Sequence, residues 1–169
     1  ANIFQGIVVL PIFLMIKGFS PSKMMRGMYP ALIAAFCTKS SNAALPIAMQ
    51  CSIDRLKVPK RIVNISFPLC SVINMNGCAA FILTSVLFVS MSCGYVYSIS
   101  TMIMLVFLAS IAAVGNAGVP MGCYFLTCAF LSSMNVPLEL MGFILPIYTI
   151  VDMVETTLNI WSDSCVTAV

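Results

Sequence analysis

The chain has 169 residues, of which 61% are hydrophobic and 8% charged; it carries 8 Lys+Arg, 5 Asp+Glu and no His. Its mean hydropathy is +1.07. Soluble domains carry about 25% charged residues, so this composition leaves too little polar surface to coat a globule in water. A net charge of +3 from scattered side chains also excludes a phosphate-tracking nucleic-acid binder. The composition is that of a membrane protein.

At about 20 residues per span, the length allows roughly five to seven passes or part-passes. The apolar start, Ala1 to Ile16, has no basic stretch before it and does not read as a cleavable signal peptide. Both ends lie in apolar sequence, which reads as a segment cut from something longer. Residues 1–17 fit the end of a helix running from outside to inside. All eight basic residues fall within the first 61 positions, in the clusters Lys17/Lys23/Arg26 and Arg55/Lys57/Lys60/Arg61 with Lys39 between them. Basic loops favour the cytoplasmic side.

The apolar segment 28–52 between these clusters would leave one of them outside if it crossed once. It is broken by Lys39-Ser40-Ser41-Asn42, with Pro46 shortly after, and reads as a re-entrant hairpin entering from the cytoplasm. Such a break at membrane depth is tolerated only against protein or a watery cavity. Residues 62–93 form a full span to the outside, interrupted at Asn74-Met75-Asn76-Gly77. After an uncharged turn from Gly94 to Ser100, residues 101–134 are apolar and broken at Gly115-Asn116-Ala117-Gly118-Val119-Pro120. Their flanks carry no basic residue, which suits a second hairpin dipping in from outside. Residues 140–169 return to the cytoplasm. The expected fold is an all-α membrane protein whose transmembrane helices and two re-entrant hairpins form an inverted repeat. Discontinuous helices in inverted repeat are the signature of secondary transporters.

Asp152, Glu155, Asn159 and Asp163 share one helix face by their spacing of 3, 4 and 4. An acid at the bilayer centre costs about 2.5–3.5 kcal/mol. No Lys or Arg occurs from Ile62 onward, so the compensating cations come from elsewhere: a substrate ammonium and bound Na⁺. The plainer alternative places Asp163 at a wet helix end. Lys39-Ser40-Ser41-Asn42 offers N–H groups and hydroxyls at a helix N-terminus, a seat for a carboxylate, or simply a capped hairpin tip. Asn74-Met75-Asn76-Gly77 either unwinds a helix to free carbonyls for a hard cation or marks a glycine kink. The eight cysteines lie mostly in apolar runs without a C-x-x-C pair, and with no His they read as small packing residues rather than a transition-metal site. The 13 Met and 11 Phe read as lining for helix contacts and lipid.

At these motifs the sequence resembles the dicarboxylate/amino acid:cation symporter family of glutamate and neutral amino acid transporters. The resemblance is carried by Gly27-Met28-Tyr29-Pro30-Ala31-Leu32, Thr38-Lys39-Ser40-Ser41 with Leu45-Pro46, Phe67-Pro68-Leu69, and Ile73-Asn74-Met75-Asn76-Gly77. Gly115–Pro120 and the stripe Asp152, Glu155, Thr156, Asn159, Asp163 complete it, end to end in one order. The chain is similar to the C-terminal part of such a transporter, from the sixth helix through the eighth, without the earlier trimerisation scaffold. The resemblance implies sodium-coupled amino acid uptake by an elevator mechanism, in a homotrimeric, multi-pass protein of a bacterial inner or plasma membrane. It implies no cofactor beyond coupled Na⁺, with H⁺ left open.

By the same resemblance Asp152 would hold the substrate α-ammonium, and Asn159 with the Ser40/Ser41 turn its α-carboxylate. Lys39, Cys78, Val119, Cys123, Glu155 and Thr156 would complete the substrate site. Asp163, with carbonyls of Cys70, Asn74 and Asn159, would form one Na⁺ site, and carbonyls of Ala113, Val114 and Asn116 a second. The turn at Gly115–Pro120 would be the outer gate. Three positions depart from the family. Glu155 stands where members that carry acidic substrates have Arg, which favours a neutral amino acid such as serine, threonine or alanine, with a cationic or an acidic (glutamate/aspartate) one as the alternative. Asn76 replaces an Asp at a third cation site, and Val72 replaces a Thr near the second, which points to fewer Na⁺ per cycle. Three other classes fit the residues less well. A scaffold subunit would have no use for polar residues at every break. A channel would show flux without saturation. An intramembrane enzyme would have only Ser40/Lys39 as nucleophile and base, and adjacent residues diverge at a turn.

Overall fold

The computed structural model describes residues 1–117, 119 and 121–169, and among these the regular structure is entirely helical. The first helix, α1, covers Asn2–Ile16. It widens into a π-helical turn at Gln5–Val9, where the N–H of Leu10 bonds back to Gln5, just ahead of Pro11. Proline cannot donate and crowds the preceding turn, and a π-bulge is one way a helix absorbs that. The widened turn is also where Trp161 Nε1 donates to the Gly6 carbonyl at 3.3 Å. α2 (Pro21–Thr38) starts with proline in its first turn, where the missing N–H costs nothing. α3 covers Ser41–Asp54, α4 Lys60–Ile73 and α5 Asn76–Ser92. α6 covers Ile99–Gly115, α7 Gly122–Ser133 and α8 Glu139–Ala168.

The helix ends follow local chemistry. Gly18 and Gly94, at φ 80° and 88°, follow α1 and α5 in the left-handed conformation that glycine adopts at helix C-termini. Ser98 caps α6 by accepting from the Thr101 N–H, and Ser40 caps α3 by accepting from the Ala43 N–H. Lys39 and Met121 are left-handed non-glycine residues, at φ 53° and 55°, each at the turn of a helix pair. The arms flanking the first turn run from Pro21 to Asp54, beyond the 28–52 expected. The basic residues Lys23 and Arg26 extend α2 at its start because their long stems keep the charge at the water boundary.

α8 is the central helix and packs against α1, α2, α3, α4, α5 and α7. Its two ends serve different cores. Toward the C-terminus, Leu158, Ile160, Trp161 and Cys165 join Leu14, Met28, Ala35, Ala48, Val63 and Phe67 from α1 to α4. Toward the N-terminus, Met141 and Tyr148 join Phe81, Ile82, Val89, Ala113, Tyr124 and Leu131 from α5 to α7. The break at Asn74–Met75, between α4 and α5, falls at the boundary of these cores.

The exterior is apolar. Ile7, Ile65, Phe88, Phe107, Ile111, Phe125 and Phe143 are each more than half exposed, an arrangement stable against hydrocarbon rather than water. The continuous segment Lys60–Ser92 and α8 are both long and apolar enough to cross a membrane.

Candidate substrate and cation site

The polar stripe of α8 faces inward. Glu155, Thr156, Asn159, Ser162 and Asp163 are all buried at the junction of the two cores. Here the turn between α2 and α3, the broken strut between α4 and α5, and the turn between α6 and α7 meet the middle of α8. They enclose a cavity of about 60 Å³. Lys39, Ser40, Ser41, Cys78, Asn116, Val119, Cys123, Asp152, Thr156 and Asn159, all singled out from the sequence, line it. Met75, Met121, Gly122 and Tyr148 line it too without having been anticipated. Gly118 and Pro120, part of the expected outer gate, lie outside the described residues.

At the first turn, Thr38 Oγ1 donates to the Ala34 carbonyl at 2.7 Å, and Ser40 Oγ accepts from the Ala43 N–H at 3.3 Å. The N–H groups of Ser41 and Asn42 belong to the first turn of α3, which supplies no intrahelical acceptor for them. They present positive polarity beside the cavity. At the second turn, Asn116 lies over Gly122 so closely that a Cβ there would collide with its Oδ1. Asn116 Nδ2 donates to Cys123 Sγ at 3.3 Å.

Asn159 ties α8 to the start of α5. Its Oδ1 accepts from the Gly77 N–H at 3.0 Å, and its Nδ2 donates to Cys78 Sγ at 3.4 Å and Met75 Sδ at 3.5 Å. Sulfur is a weak acceptor, so this amide can turn to a better one at little cost. Gly77 is required by this approach: an added Cβ would lie 3.1 Å from both Asn159 Oδ1 and the Glu155 carbonyl.

Below the cavity, Asn74 Nδ2 donates to Asp163 Oδ1 and to Ser162 Oγ, both at 2.9 Å, and Asn76 Nδ2 donates to the same Ser162 Oγ at 2.7 Å. Ser162, missed in the sequence, is the acceptor that anchors both amides of the break. Asp163 Oδ2 and Asn76 Oδ1 are buried without a hydrogen-bond partner among the described residues, a state that costs free energy unless a ligand completes it. The Cys70 carbonyl accepts from the Asn74 N–H at 2.8 Å, so one of its lone pairs is engaged. Ala113, Val114 and Asn116 form the end of α6, where the carbonyls of Ala113 and Val114 accept long bonds of 3.3 Å and that of Asn116 one of 3.1 Å.

Glu155 lies behind Cys78 and Cys123, 1% exposed, and, unlike the other expected substrate residues, is not part of the cavity wall. Among the described residues neither carboxylate oxygen meets hydrogen-bond geometry, although the Cys123 thiol and the Tyr148 hydroxyl face it. The three ligating atoms of Cys78, Cys123 and Glu155 lie within 4.8 Å of one another.

Comparison with known proteins supplies the context for this geometry. The profile of the sodium:dicarboxylate symporter family matches residues 1–169. The chain belongs to this family. It is 30% identical over 168 residues to glt-4 of Caenorhabditis elegans, whose name describes a sodium-dependent excitatory amino acid transporter; 99% of the chain and 34% of that protein are covered. It is 28% identical over 161 residues to mouse excitatory amino acid transporter 3, covering 95% of the chain and 31% of the relative. Human neutral amino acid transporter B(0) is 29% identical over 161 residues, with 95% and 30% covered. The chain thus spans about a third of the length of the curated relatives it matches. It is a membrane protein of a family of sodium-coupled amino acid transporters, not of enzymes. The relatives' names include both acidic and neutral amino acid carriers.

Proposed function

We propose that the complete protein is a secondary active symporter that draws a neutral amino acid, of the serine, threonine or alanine class, into the cell on a sodium gradient. The observation that carries this reading is Glu155, a buried carboxylate one layer behind the cavity wall that Cys78 and Cys123 form, accepting no hydrogen bond among the described residues. A second carboxylate on the substrate side chain would be repelled through that wall in a medium of low dielectric, whereas a neutral side chain would not. Asp152 holds the α-ammonium. The α-carboxylate sits on the N–H groups at the start of α3 and takes an Nδ2 hydrogen of Asn159 from its sulfur acceptor. Lys39, Ser40, Ser41, Cys78, Val119, Cys123 and Thr156 line the rest of the substrate.

Sodium binds at Asp163 with carbonyls of Cys70, Asn74 and Asn159, a role supported by the buried Oδ2 of Asp163, which has no partner among the described residues. A second ion lies at the carbonyls of Ala113, Val114 and Asn116. An amide at Asn76, where an acid would carry charge, favours few coupled ions. In this reading α2–α3 and α6–α7 are re-entrant hairpins. The second closes over the loaded site, and the domain then slides across the bilayer within a homotrimer. The same buried Glu155 gives a second reading, in which a cationic side chain is attracted to it through the wall.

The test is uptake of labelled serine, alanine, arginine and glutamate by the complete protein in liposomes, with and without an inward Na⁺ gradient. Sodium-driven serine or alanine uptake is expected. Arginine uptake would select the second reading. Glutamate uptake would overturn the assignment of Glu155, and no gradient-driven uptake of any of the four would overturn the symport itself.

A further inference from the structure

Cys78 and Cys123 line the cavity, but a wall for an amino acid does not require two thiols set against a buried carboxylate. We propose that Cys78, Cys123 and Glu155 form a site for a soft divalent cation, zinc or cadmium, that pins α7 to α5 and α8. The three residues are 45 and 32 positions apart in sequence and come from three helices, yet their ligating atoms lie within 4.8 Å of one another. Tetrahedral zinc with Zn–S near 2.3 Å sets neighbouring ligand atoms about 3.8 Å apart. Each separation therefore closes by at most about 1 Å.

Two further features point to a ligand. Both oxygens of Glu155 are buried and, among the described residues, accept no well-formed hydrogen bond, with only the Cys123 thiol and the Tyr148 hydroxyl facing them. Each sulfur accepts an amide N–H, Cys78 from Asn159 at 3.4 Å and Cys123 from Asn116 at 3.3 Å. Donors directed at the sulfur atoms are the outer shell that orients and stabilises metal-bound thiolates. Thiolate donors select zinc-like ions over sodium or magnesium. Binding releases the two thiol protons to water, leaving two thiolates and one carboxylate on the ion, with the fourth position open toward the cavity. This departs from the reading of the cysteines as packing residues alone.

The consequence is a brake. An ion shared by α5, α7 and α8 fixes the second turn against the body of the protein, so it cannot move to admit or release substrate. The binding stands apart from the proposed symport, while the brake rests on it.

The experiment titrates Cd²⁺ into the complete protein, purified in detergent under reducing conditions, and follows the ultraviolet thiolate-to-cadmium absorption. One Cd²⁺ per chain is expected, with affinity reduced at least about 10–100-fold in Cys78→Ser, Cys123→Ser and Glu155→Gln. Equal binding by the wild type and the Cys78→Ser/Cys123→Ser double variant would overturn the site. Glu155→Gln keeps both thiols and serves if the cysteine variants fail to fold; unchanged Cd²⁺ affinity in that variant would likewise overturn it. In liposomes, Cd²⁺ but not Mg²⁺ is expected to stop wild-type uptake, reversibly on chelation. Stoichiometric binding without inhibition would overturn the brake and leave the site. Absence of uptake before any metal is added would instead be a failure of the symport reading.

Discussion

The two helix pairs that bring turns to the cavity are built differently. In the first, α2 and α3 pack on each other and both rest on α8. Their turn is held by the Thr38 and Ser40 side chains. In the second, α6 and α7 each lean on α5 and share little surface with one another. On α6 only Leu105, Ala109 and Ala113 are buried. Among the described residues, the side-chain tie at the second turn is Asn116, folded over Gly122 and bonded to Cys123. One turn is therefore part of a packed unit, and the other is fastened at a point. An element with few buried contacts opens at lower free-energy cost, which supports the gating role proposed for the second pair.

The variant expected to do most damage strikes the junction both pairs share. Ser162→Ala leaves the Asn76 amide without its acceptor and the Asn74 amide with Asp163 alone, at about 1–3 kcal/mol for the group left unpaired. A marked fall in thermal stability and in apparent Na⁺ affinity should follow; unchanged values would mean that Ser162 does not anchor the break. Next comes Gly122→Ala, whose methyl collides with Asn116 and should cost about 1–3 kcal/mol. Amide hydrogen exchange should rise around residues 114–124 and leave the first turn untouched. Equal loosening at both turns would erase the distinction between them.

At the first turn the counterpart is Ser40→Ala, which removes a helix cap worth about 1 kcal/mol. A local rise in exchange near residues 41–44 is expected, smaller than that from Gly122→Ala. The mildest change is Gly115→Ala. A Cβ there meets nothing within 4 Å, and alanine is favoured over glycine in a helix by up to about 1 kcal/mol. A slight gain in melting temperature would agree with an open α6 end, whereas a loss would show that this end is more tightly enclosed.

Much of this arrangement could be read from the residues. The helix breaks at Lys39–Ser40 and Asn74–Met75 fall where consecutive polar residues interrupt apolar runs, because such side chains compete for backbone hydrogen bonds. The stripe on α8 was legible from its spacing alone. Ser162 was not, since one serine within a helix carries no periodic signal. Nor were Tyr148 and Met75 as cavity walls, because an apolar body is as suited to a core as to a pocket. The spreading of α6 and α7 across α5 left no trace either. α6 is apolar on nearly every side, so no face announces its partner. The meeting of Cys78, Cys123 and Glu155 depends on three helices at once and is a product of tertiary packing.

The central claim is that Glu155 sets the class of substrate, and the direct measurement is sodium-driven uptake of glutamate and serine by Glu155→Arg beside the wild type. The account predicts that the wild type takes up serine and not glutamate, and that the variant gains glutamate while losing serine. A variant that carries serine as before and still excludes glutamate would contradict it.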